Sequence, residues 1–567
     1  MNIIFFFSGC FLISLSMIGY GFFFKRAIFN KTDKLNLGYY GLIGIFFSMI
    51  YSYASNFIIP HSKINNLIFI IIGLSFFIWH LIQNDMKKEL KFYLLIFFIF
   101  FISILILKNH DDFEYYHFPY TYLLTQYDLI IGIGNLGHGF RTQSSLFYLN
   151  SIFFLPYFKF NLFNLGAYLV VIYSNVIFLK YILKDFSSKK FKLNNRFINY
   201  ISLMAFVFVN VFFYRLAEHG TDRSAQILIF LLFIETIYFF NLKTLSQNVL
   251  IKIYLLTGLI ISLKAFYILY LIIFLPIFYH LVIKLDIFRA IKFFLLNKII
   301  IYLIIFLMLI ISINILNTGC FIYPVYFTCM ENFTWAIPIE QVKSMNDWYE
   351  QWSKAGAGIG FRVENSEYYI ESFNWVNNWI KDYFFTKVSD LIFGLFLLGI
   401  IFLLIFKNKK EKKNYEKINF LKVVYFILII LFLEWFYNHP ALRYGGYTII
   451  ALLAFIPLSF YFSNISLNDH EFKKKATIII MLTLFIFVSR NFIRLKDEYN
   501  VLSYNPLLNP YYNINKKHLR IDNKLKFFFN SKADCYNDPQ IFCSEKFNIK
   551  TNNLGYYVIS KRQNNAQ

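Results

Sequence analysis

Charged side chains are scarce in this chain: they make up 15% of its 567 residues, whereas 58% of the residues are hydrophobic. A soluble domain of this length needs a far larger share of polar surface. The apolar residues are also gathered into runs of roughly 16 to 22, close to the ~20 that a helix needs to cross a bilayer. The composition excludes a soluble globular protein and predicts an all-α integral membrane protein.

Acidic residues are few as well. The chain has 32 Asp and Glu residues against 55 Lys and Arg residues, which gives a net charge of +23. A basic excess is common in proteins that bind nucleic acids, but here the basic residues lie in short loops between apolar runs, where they set membrane topology. We therefore expect no nucleic-acid partner.

The apolar runs predict about fourteen transmembrane helices. The first three form an N-terminal three-span segment, residues 1–91, which precedes a larger membrane core, residues 92–489. The remainder, 490–567, is predicted to be a small segment outside the membrane. The predicted spans are 3–24, 39–60, 67–83, 92–107, 162–183, 197–215, 224–241, 250–263, 266–284, 298–316, 390–406, 419–437, 446–463 and 475–489.

Basic residues are distributed unequally between the two sets of alternating loops. KRAIFNKTDK, KDFSSKKFKLNNR and KNKKEKKNYEK belong to one set, which the positive-inside rule assigns to the cytoplasm. The other set then faces outward and includes two long loops, 108–161 and 317–389. We expect the protein in a bacterial inner (plasma) membrane with its active face toward the periplasm or exterior.

Cysteine is also rare, with five residues in the chain. Cys320 and Cys329 form one closely spaced pair, and Cys535 and Cys543 form another. Both pairs fall in segments that the charge pattern assigns to the outside, where an oxidising compartment favours disulfides. We predict Cys320–Cys329 and Cys535–Cys543 bridges.

An acidic segment, KNHDDFEYYHFPY at 108–120, follows the uncharged run FYLLIFFIFFISILIL. A charge at mid-membrane is costly, so these carboxylates are predicted at or beyond the membrane boundary. A solvated helix end would satisfy the same constraint. A partly desolvated carboxylate, however, has a raised pKa and serves as a general base. The carboxylates and imidazoles of this segment belong to His110, Asp111, Asp112, Glu114 and His117.

Two aromatic, amphipathic stretches follow the acidic segment. YYHFPYTYLLTQYDL and SSLFYLNSIFFLPYF are too interrupted to span, so we predict two interfacial helices that cover the acidic cluster. GIGNLG, residues 132–137, separates them and matches the glycine pattern of a dinucleotide site. Neither a βαβ unit nor an acidic residue about 20 positions later accompanies it. We therefore interpret it as a tight turn.

Further polar residues are predicted on the same outer face. YRLAEHGTDRSAQ and NHPALRYGGY supply several, and a lysine interrupts the apolar stretch LIISLKAFYIL. Glu235 lies deeper, inside a predicted span, and receives no role. The candidate substrate-binding residues are His110, His117, His138, Arg141, His219, Asp222, Arg223, Lys264 and Arg443.

These features resemble the GT-C superfamily of membrane glycosyltransferases, across most of residues 92–490. HDDFEYYHFP is similar to the D-E-x-x-H-x-P form of the acidic motif in the first large outer loop of that superfamily. LIISLKAFYILYL is similar to a segment in which many members carry a lysine between two spans. Three spans precede the acidic loop here, whereas the superfamily usually places that loop after its first span.

The resemblance implies transfer of a sugar, with inversion, from a polyprenyl-phosphate-linked donor to an extracytoplasmic glycan, lipid or protein acceptor. Asp111 would be the general base, and Asp112 or Glu114 would orient it or bind a metal. A divalent metal at Asp111 and Asp112 is left open, and no other cofactor is expected. Arg223, Lys264 and Arg443 would contact the donor phosphate.

Two other functions remain open. A transporter or lipid-linked glycan flippase would also have many spans, but such proteins usually place ionisable groups near the midplane in broken helices. Here only Glu235 and Lys264 fit that position. An O-antigen polymerase or ligase would also use lipid-linked sugars outside, with more weight on basic outer loops.

Overall fold

A computed structural model describes residues 2–29, 35–108, 112–184, 196–215, 220–358, 363–406, 419–465, 467–510 and 547–561. Almost all of its regular structure is helical. The α-helices are α1 (Ile3–Ile28), α2 (Leu37–Asn56), α3 (Lys63–Gln83), α4 (Lys87–Phe101), α5 (Phe118–Gln126), α6 (His138–Arg141), α7 (Ser145–Ser151), α8 (Leu165–Leu183), α9 (Arg196–Phe212), α10 (Gly220–Asn241), α11 (Gln247–Leu263), α12 (Phe274–Lys284), α13 (Ile287–Leu295), α14 (Lys298–Thr318), α15 (Ile339–Lys354), α16 (Ser366–Ile370), α17 (Val376–Trp379), α18 (Ser389–Phe406), α19 (Asn419–Asn438), α20 (Gly446–Ser463) and α21 (Asp469–Leu502).

Within the described residues, eleven helical stretches are long and apolar enough to cross a membrane. They confirm the prediction of a helical integral membrane protein. The three other predicted spans coincide with shorter helices: α9 and α11, of 17 residues each, and α4, which continues into a 3₁₀ turn at Ile102–Leu105. The number fourteen therefore stays a prediction.

The first three helices pack closely because glycines bring their backbones together. A Cβ on Gly44 of α2 would lie 1.8 Å from the carbonyl oxygen of Met17 in α1, and one on Gly19 would lie 1.9 Å from that of Gly73 in α3. Small residues at such contacts permit close helix packing in membranes. The same helices also contact the membrane core, where the Tyr173 hydroxyl donates to the Ser14 carbonyl oxygen at 2.8 Å. The domain boundary at residue 91 stays a prediction.

The two helices that were expected to cover the acidic cluster are buried. Every residue of α7 is buried, and so are seven of the nine residues of α5. They pack against each other inside the helical bundle, and α7 also packs against α2 and α8. Their aromatic side chains fill the core, and the Phe147 ring of α7 lies 4.8 Å from the His117 ring of the acidic segment, measured between ring centres. That the two helices cover the acidic cluster stays a prediction.

The GIGNLG segment forms the expected tight turn. Gly132 has a left-handed backbone with φ of 73°, and a 3₁₀ turn follows at Ile133–Leu136. A Cβ at Gly132 would lie 2.1 Å from the carbonyl oxygen of Ile559, so only glycine fits this contact. The tight turn therefore contacts Ile559, which is distant in the sequence.

Ile559 belongs to a two-stranded antiparallel hairpin, β1 (Phe547–Thr551) and β2 (Tyr557–Lys561), with Phe547 opposite Lys561. The strands are an addition to the predicted all-α fold. The Ile559 amide donates to the Ile131 carbonyl oxygen at 2.9 Å, and the Ile131 amide donates to that of Tyr557 at 2.9 Å. The hairpin therefore docks against Ile131, within the 108–161 segment.

Cys320 and Cys329 are joined by a disulfide at the start of the 317–389 segment. Cys535 and Cys543, the other predicted pair, lie outside the described residues. Cys10 is buried in α1 with a free thiol. The disulfide lies just after α14 and before α15, a helix that contributes to the site described next.

Candidate functional site

Asp112 begins the site. It lies directly before a one-turn π-helix, Phe113–His117, which continues into α5. Such single turns with wider hydrogen bonding are frequent at functional positions. The Asp112 side chain is 30% exposed, which leaves its carboxylate accessible while its backbone belongs to a helix.

Asp222 lies in the first turn of α10 and is buried, with 8% exposure. The helix begins at Gly220, where φ is +33° and where a Cβ would lie 2.9 Å from the His117 ring. The predicted site residue His117 therefore packs against the start of the helix that carries Asp222. Since carboxylates are favoured at helix N-termini, this position suits Asp222.

Lys264 lies at the break that the sequence predicts. α11 ends at Leu263, Lys264 is extended, and a 3₁₀ helix follows at Ala265–Ile273. The extended residue directs the ammonium group away from the helix axis, and Nζ donates to Asp222 Oδ1 at 2.6 Å. Nζ also lies 4.6 Å from the centre of the Tyr444 ring, a cation–π distance.

Arg443 joins the two carboxylates. It lies in a 3₁₀ turn, Leu442–Tyr444, between α19 and α20. Its Nε donates to Asp222 Oδ2 at 3.2 Å, and its NH2 group donates to Asp112 Oδ2 at 3.0 Å. Asp112, Arg443, Asp222 and Lys264 thus form one alternating sequence of charges, which we call the ion-pair chain.

The turn around Arg443 is itself held firmly. The Gln226 side chain donates to the Arg443 carbonyl oxygen at 2.8 Å, and the Tyr383 hydroxyl accepts from the Leu442 amide at 2.8 Å. The guanidinium carbon lies 5.4 Å from the centre of the Trp352 ring. Trp352 belongs to α15, so this helix supplies an aromatic ring over the ion-pair chain.

The electrostatics of the surrounding groups follow from burial and from these charges. Burial opposes ionisation of Arg443, but the carboxylates of Asp222 and Asp112 raise its pKa well above the usual value, so the guanidinium stays charged. Burial also raises the pKa of Tyr116, and the charge of Asp112 adds to that effect. Burial, with the ammonium groups of Lys354 and Lys264, lowers the pKa of His439 to about 4.

Other predicted site residues have separate environments. The His138 ring lies 3.3 Å from the Tyr115 hydroxyl, and Arg141 Nε donates to the Gly134 carbonyl oxygen at 3.2 Å. The Arg223 guanidinium lies over the rings of Phe213 and Tyr447, at 4.4 and 4.7 Å. The predictions for His110, Asp111 and His219 fall outside the described residues, as does the side chain of Glu114.

The described part of the chain contains no cluster of side chains that could bind a metal ion. There, no group of three or more His, Cys, Asp or Glu residues could hold an ion. Asp112 and Asp222 each bond to Arg443 instead. The metal prediction concerned Asp111 together with Asp112, and Asp111 is outside the described residues.

Residues 1–450 match the model of a protein family described as a domain of unknown function, DUF8201. The chain belongs to that family. The DUF8201 match includes every member of the ion-pair chain and ends within α20. No curated protein and no solved structure matches the chain.

Several site residues of this DUF8201 protein could not be found from the sequence. Tyr116, Trp352 and Tyr444 lie beside the ion-pair chain, but tyrosine and tryptophan also mark membrane boundaries, so their presence signalled nothing specific. Tyr444 was detectable only as the neighbour of Arg443. For Trp352, the polar segment 339–354 gave no sign that it folds back onto the α19–α20 turn.

Proposed function

We propose that this protein is a membrane glycosyltransferase of the GT-C type, which uses a polyprenyl-phosphate-linked sugar. The observation that carries the proposal is the ion-pair chain. It joins side chains from four separate parts of the sequence, with Asp112 and Arg443 331 positions apart. It lies where α10 and α20 begin and α11 ends. The ends of apolar helices are where a lipid phosphate would lie.

The two cations have the arrangement that a donor phosphate requires. Asp222 bonds to both Lys264 and Arg443 and holds them side by side. Arg443 provides a planar fork that suits phosphate oxygens, and Lys264 provides a compact charge. A donor phosphate would compete with Asp112 for the NH2 group of Arg443. Its binding would release the Asp112 carboxylate at the moment when the sugar arrives.

The proposed reaction is a single displacement. The acceptor hydroxyl loses its proton to a carboxylate of the acidic segment, Asp111 with Asp112 beside it, and its oxygen bonds to the anomeric carbon. The bond from that carbon to the phosphate oxygen breaks, and its electron pair leaves with the polyprenyl phosphate. Arg443 and Lys264 stabilise the charge on the leaving phosphate. The configuration at the anomeric carbon inverts.

The proposed setting is the periplasmic face of a bacterial inner membrane. Nucleotide sugars are scarce outside the cytoplasm, so a lipid-linked donor is the sensible source of an activated sugar there. The acceptor would be a glycan, a lipid or a protein. Tyr444 and Trp352, the aromatic residues beside the ion-pair chain, offer ring faces on which a sugar can stack.

The test uses purified protein in lipid vesicles with polyprenyl-phosphate sugars and a panel of glycan, lipid and peptide acceptors. We expect release of polyprenyl phosphate together with a glycosylated acceptor, and no product from nucleotide sugars. A matched preparation of Arg443→Ala serves as the control. Product formation from nucleotide sugars alone, or equal rates in the two preparations, would contradict the proposal.

A second function has one observation in its favour. Glu235 is completely buried in α10, and Lys252 Nζ lies 3.5 Å from its Oε1 atom. Transporters and flippases use ionisable groups inside their spans. If the vesicles instead move a lipid-linked glycan between leaflets without any bond being formed, the transport function is correct.

A further inference from the structure

The outer half of α21 contacts the segment that leads into the acidic residues. The predicted span ended at residue 489, but the helix continues to Leu502. Within this extension, Glu498 accepts two backbone hydrogen bonds: Oε2 from the Leu107 amide at 2.8 Å and Oε1 from the Lys108 amide at 3.0 Å. Glu498 is buried, and its two partners directly precede residues 109–112.

The residues just after α21 add a second contact to the same segment. The helix ends at Leu502, and the next residue, Ser503, has a left-handed backbone with φ of 54°. This turn directs Tyr504 back toward the protein, where its hydroxyl donates to the Leu105 carbonyl oxygen at 2.7 Å. In the backbone from 105 to 108, Tyr504 therefore bonds to a carbonyl group and Glu498 bonds to two amide groups.

The same helix also contacts the segment that leads toward Asp222. Arg490 NH1 donates to the Val211 carbonyl oxygen at 2.7 Å, and Asn491 Nδ2 donates to that of Tyr214 at 3.3 Å. The Arg490 guanidinium lies 4.5 Å from the centre of the Tyr214 ring. Helix α21 thus bonds to two segments, one that precedes Asp112 in the sequence and one that precedes Asp222.

We propose that Glu498 is a positioning residue, which fixes the backbone entering the acidic segment and so sets where Asp112 lies relative to Arg443. A carboxylate that accepts from two consecutive amides makes charge-assisted bonds with a defined direction. Glutamine has the same size but carries an NH2 group in place of one carboxylate oxygen, so in the same orientation one of the two backbone amides would face a donor and lose its bond. Glu498 lies beyond residue 450, where the family match ends.

The test compares Glu498→Gln with Asp497→Asn, the exposed neighbour on the same helix. Hydrogen exchange of the Leu107 and Lys108 amides should become about 10- to 100-fold faster in Glu498→Gln, the change expected for losing a bond to a charged group. Exchange in Asp497→Asn should match the parent. Tyr504→Phe, which loses only the hydroxyl bond to Leu105, should show a smaller increase confined to the same peptide.

The catalytic consequence rests on the proposed function and has its own readout. In the transfer assay, kcat of Glu498→Gln should fall about 10- to 100-fold, as displaced catalytic groups do, with KM for the donor within about twofold. Glu498→Asp, which keeps both acceptor oxygens on a shorter side chain, should recover part of kcat. A loss that reflected unfolding would instead lower the active fraction and leave kcat per folded molecule unchanged.

Each failure has a distinct meaning. Unchanged exchange at Leu107 and Lys108 in Glu498→Gln would overturn the inference, whatever the activity. Faster exchange with parental kcat would overturn the positioning role. Absence of sugar transfer in the parent protein would refute the proposed function, and the exchange measurement would then decide alone whether Glu498 fixes the acidic segment.

Discussion

Arg443 bonds to both carboxylates of the ion-pair chain through different nitrogens of its guanidinium. Lysine keeps the charge but lacks the planar fork. We expect Arg443→Lys to lower sugar transfer about 100-fold, as loss of a transition-state donor does, while expression and melting temperature stay near parental. Arg289→Lys, at an exposed position on α13, is the matched control. Initial rates of product formation decide, and equal rates for Arg443→Lys and the control would remove Arg443 from the mechanism.

We expect His439 to make the stability of the protein depend on pH. Its pKa is lowered from 6.5 to about 4, chiefly by burial. Between these values the unfolded chain binds more protons than the folded one, so the free energy of unfolding falls as the pH drops through this window. The contribution of His439 is at most about 3 kcal/mol.

His439→Phe keeps the aromatic contacts with Phe266 and Tyr444 and removes the titration. Melting temperatures at pH 5 and pH 7.5 should therefore differ less in this variant than in the parent. The same difference in both proteins would show that His439 does not carry the effect.

At the scale of single residues, the sequence identified the ionisable members of the ion-pair chain but not their pairing. Asp112, Asp222, Lys264 and Arg443 stood out because charged residues at the ends of apolar runs are rare and costly. Nothing in the sequence showed that Arg443 lies between two carboxylates. Glu498 was hidden for the same reason, because it resembled any charged residue after a span.

At the scale of helices, Glu235 and Lys252 form an ion pair that connects α10 and α11. The hydroxyls of Tyr39 and Tyr181 also donate to Glu235, which joins α2 and α8 to the pair. Removing one partner of a buried ion pair leaves an uncompensated charge and costs about 3–5 kcal/mol, whereas removing both costs less. Lys252→Met should therefore unfold at a clearly lower temperature than the parent.

The double variant Glu235→Gln/Lys252→Met should regain part of that stability, and thermal unfolding in detergent measures both. A double variant that is less stable than Lys252→Met alone would contradict the pairing. If the protein transfers no sugar and Lys252→Met abolishes its leaflet-to-leaflet transport, the Glu235–Lys252 pair would serve transport, the second function proposed above.

The helices themselves were predictable because a run of ~20 apolar residues has few other solutions in a membrane. The short elements were not. α5 and α7 are aromatic and interrupted, which is typical of interfacial helices, yet the protein buries them. The hairpin formed by FNIKT and YVISK was missed because five-residue strands carry little pattern, and its docking on Ile131 is a long-range contact.

At the scale of the whole molecule, the charge pattern predicts a definite topology. A reporter fused after Lys417 should be active in the cytoplasm, and one fused after Asn530 should be active outside, because the positive-inside rule assigns these segments to opposite faces. The Cys320–Cys329 disulfide should be recovered by non-reducing peptide mapping, since it requires the outer, oxidising side. Reporter activity on the opposite face at either position would refute the map.

The central claim is that the acidic segment beside Arg443 deprotonates an acceptor. Its most direct test compares the parent with Asp111→Asn in purified form, with polyprenyl-phosphate sugars and acceptors. Asparagine keeps the size of the side chain and loses its proton affinity, so transfer should fall about 10²- to 10⁴-fold with expression retained. Asp112→Asn, which weakens the bond to Arg443, should cost less. An Asp111→Asn protein as active as its parent would contradict the claim.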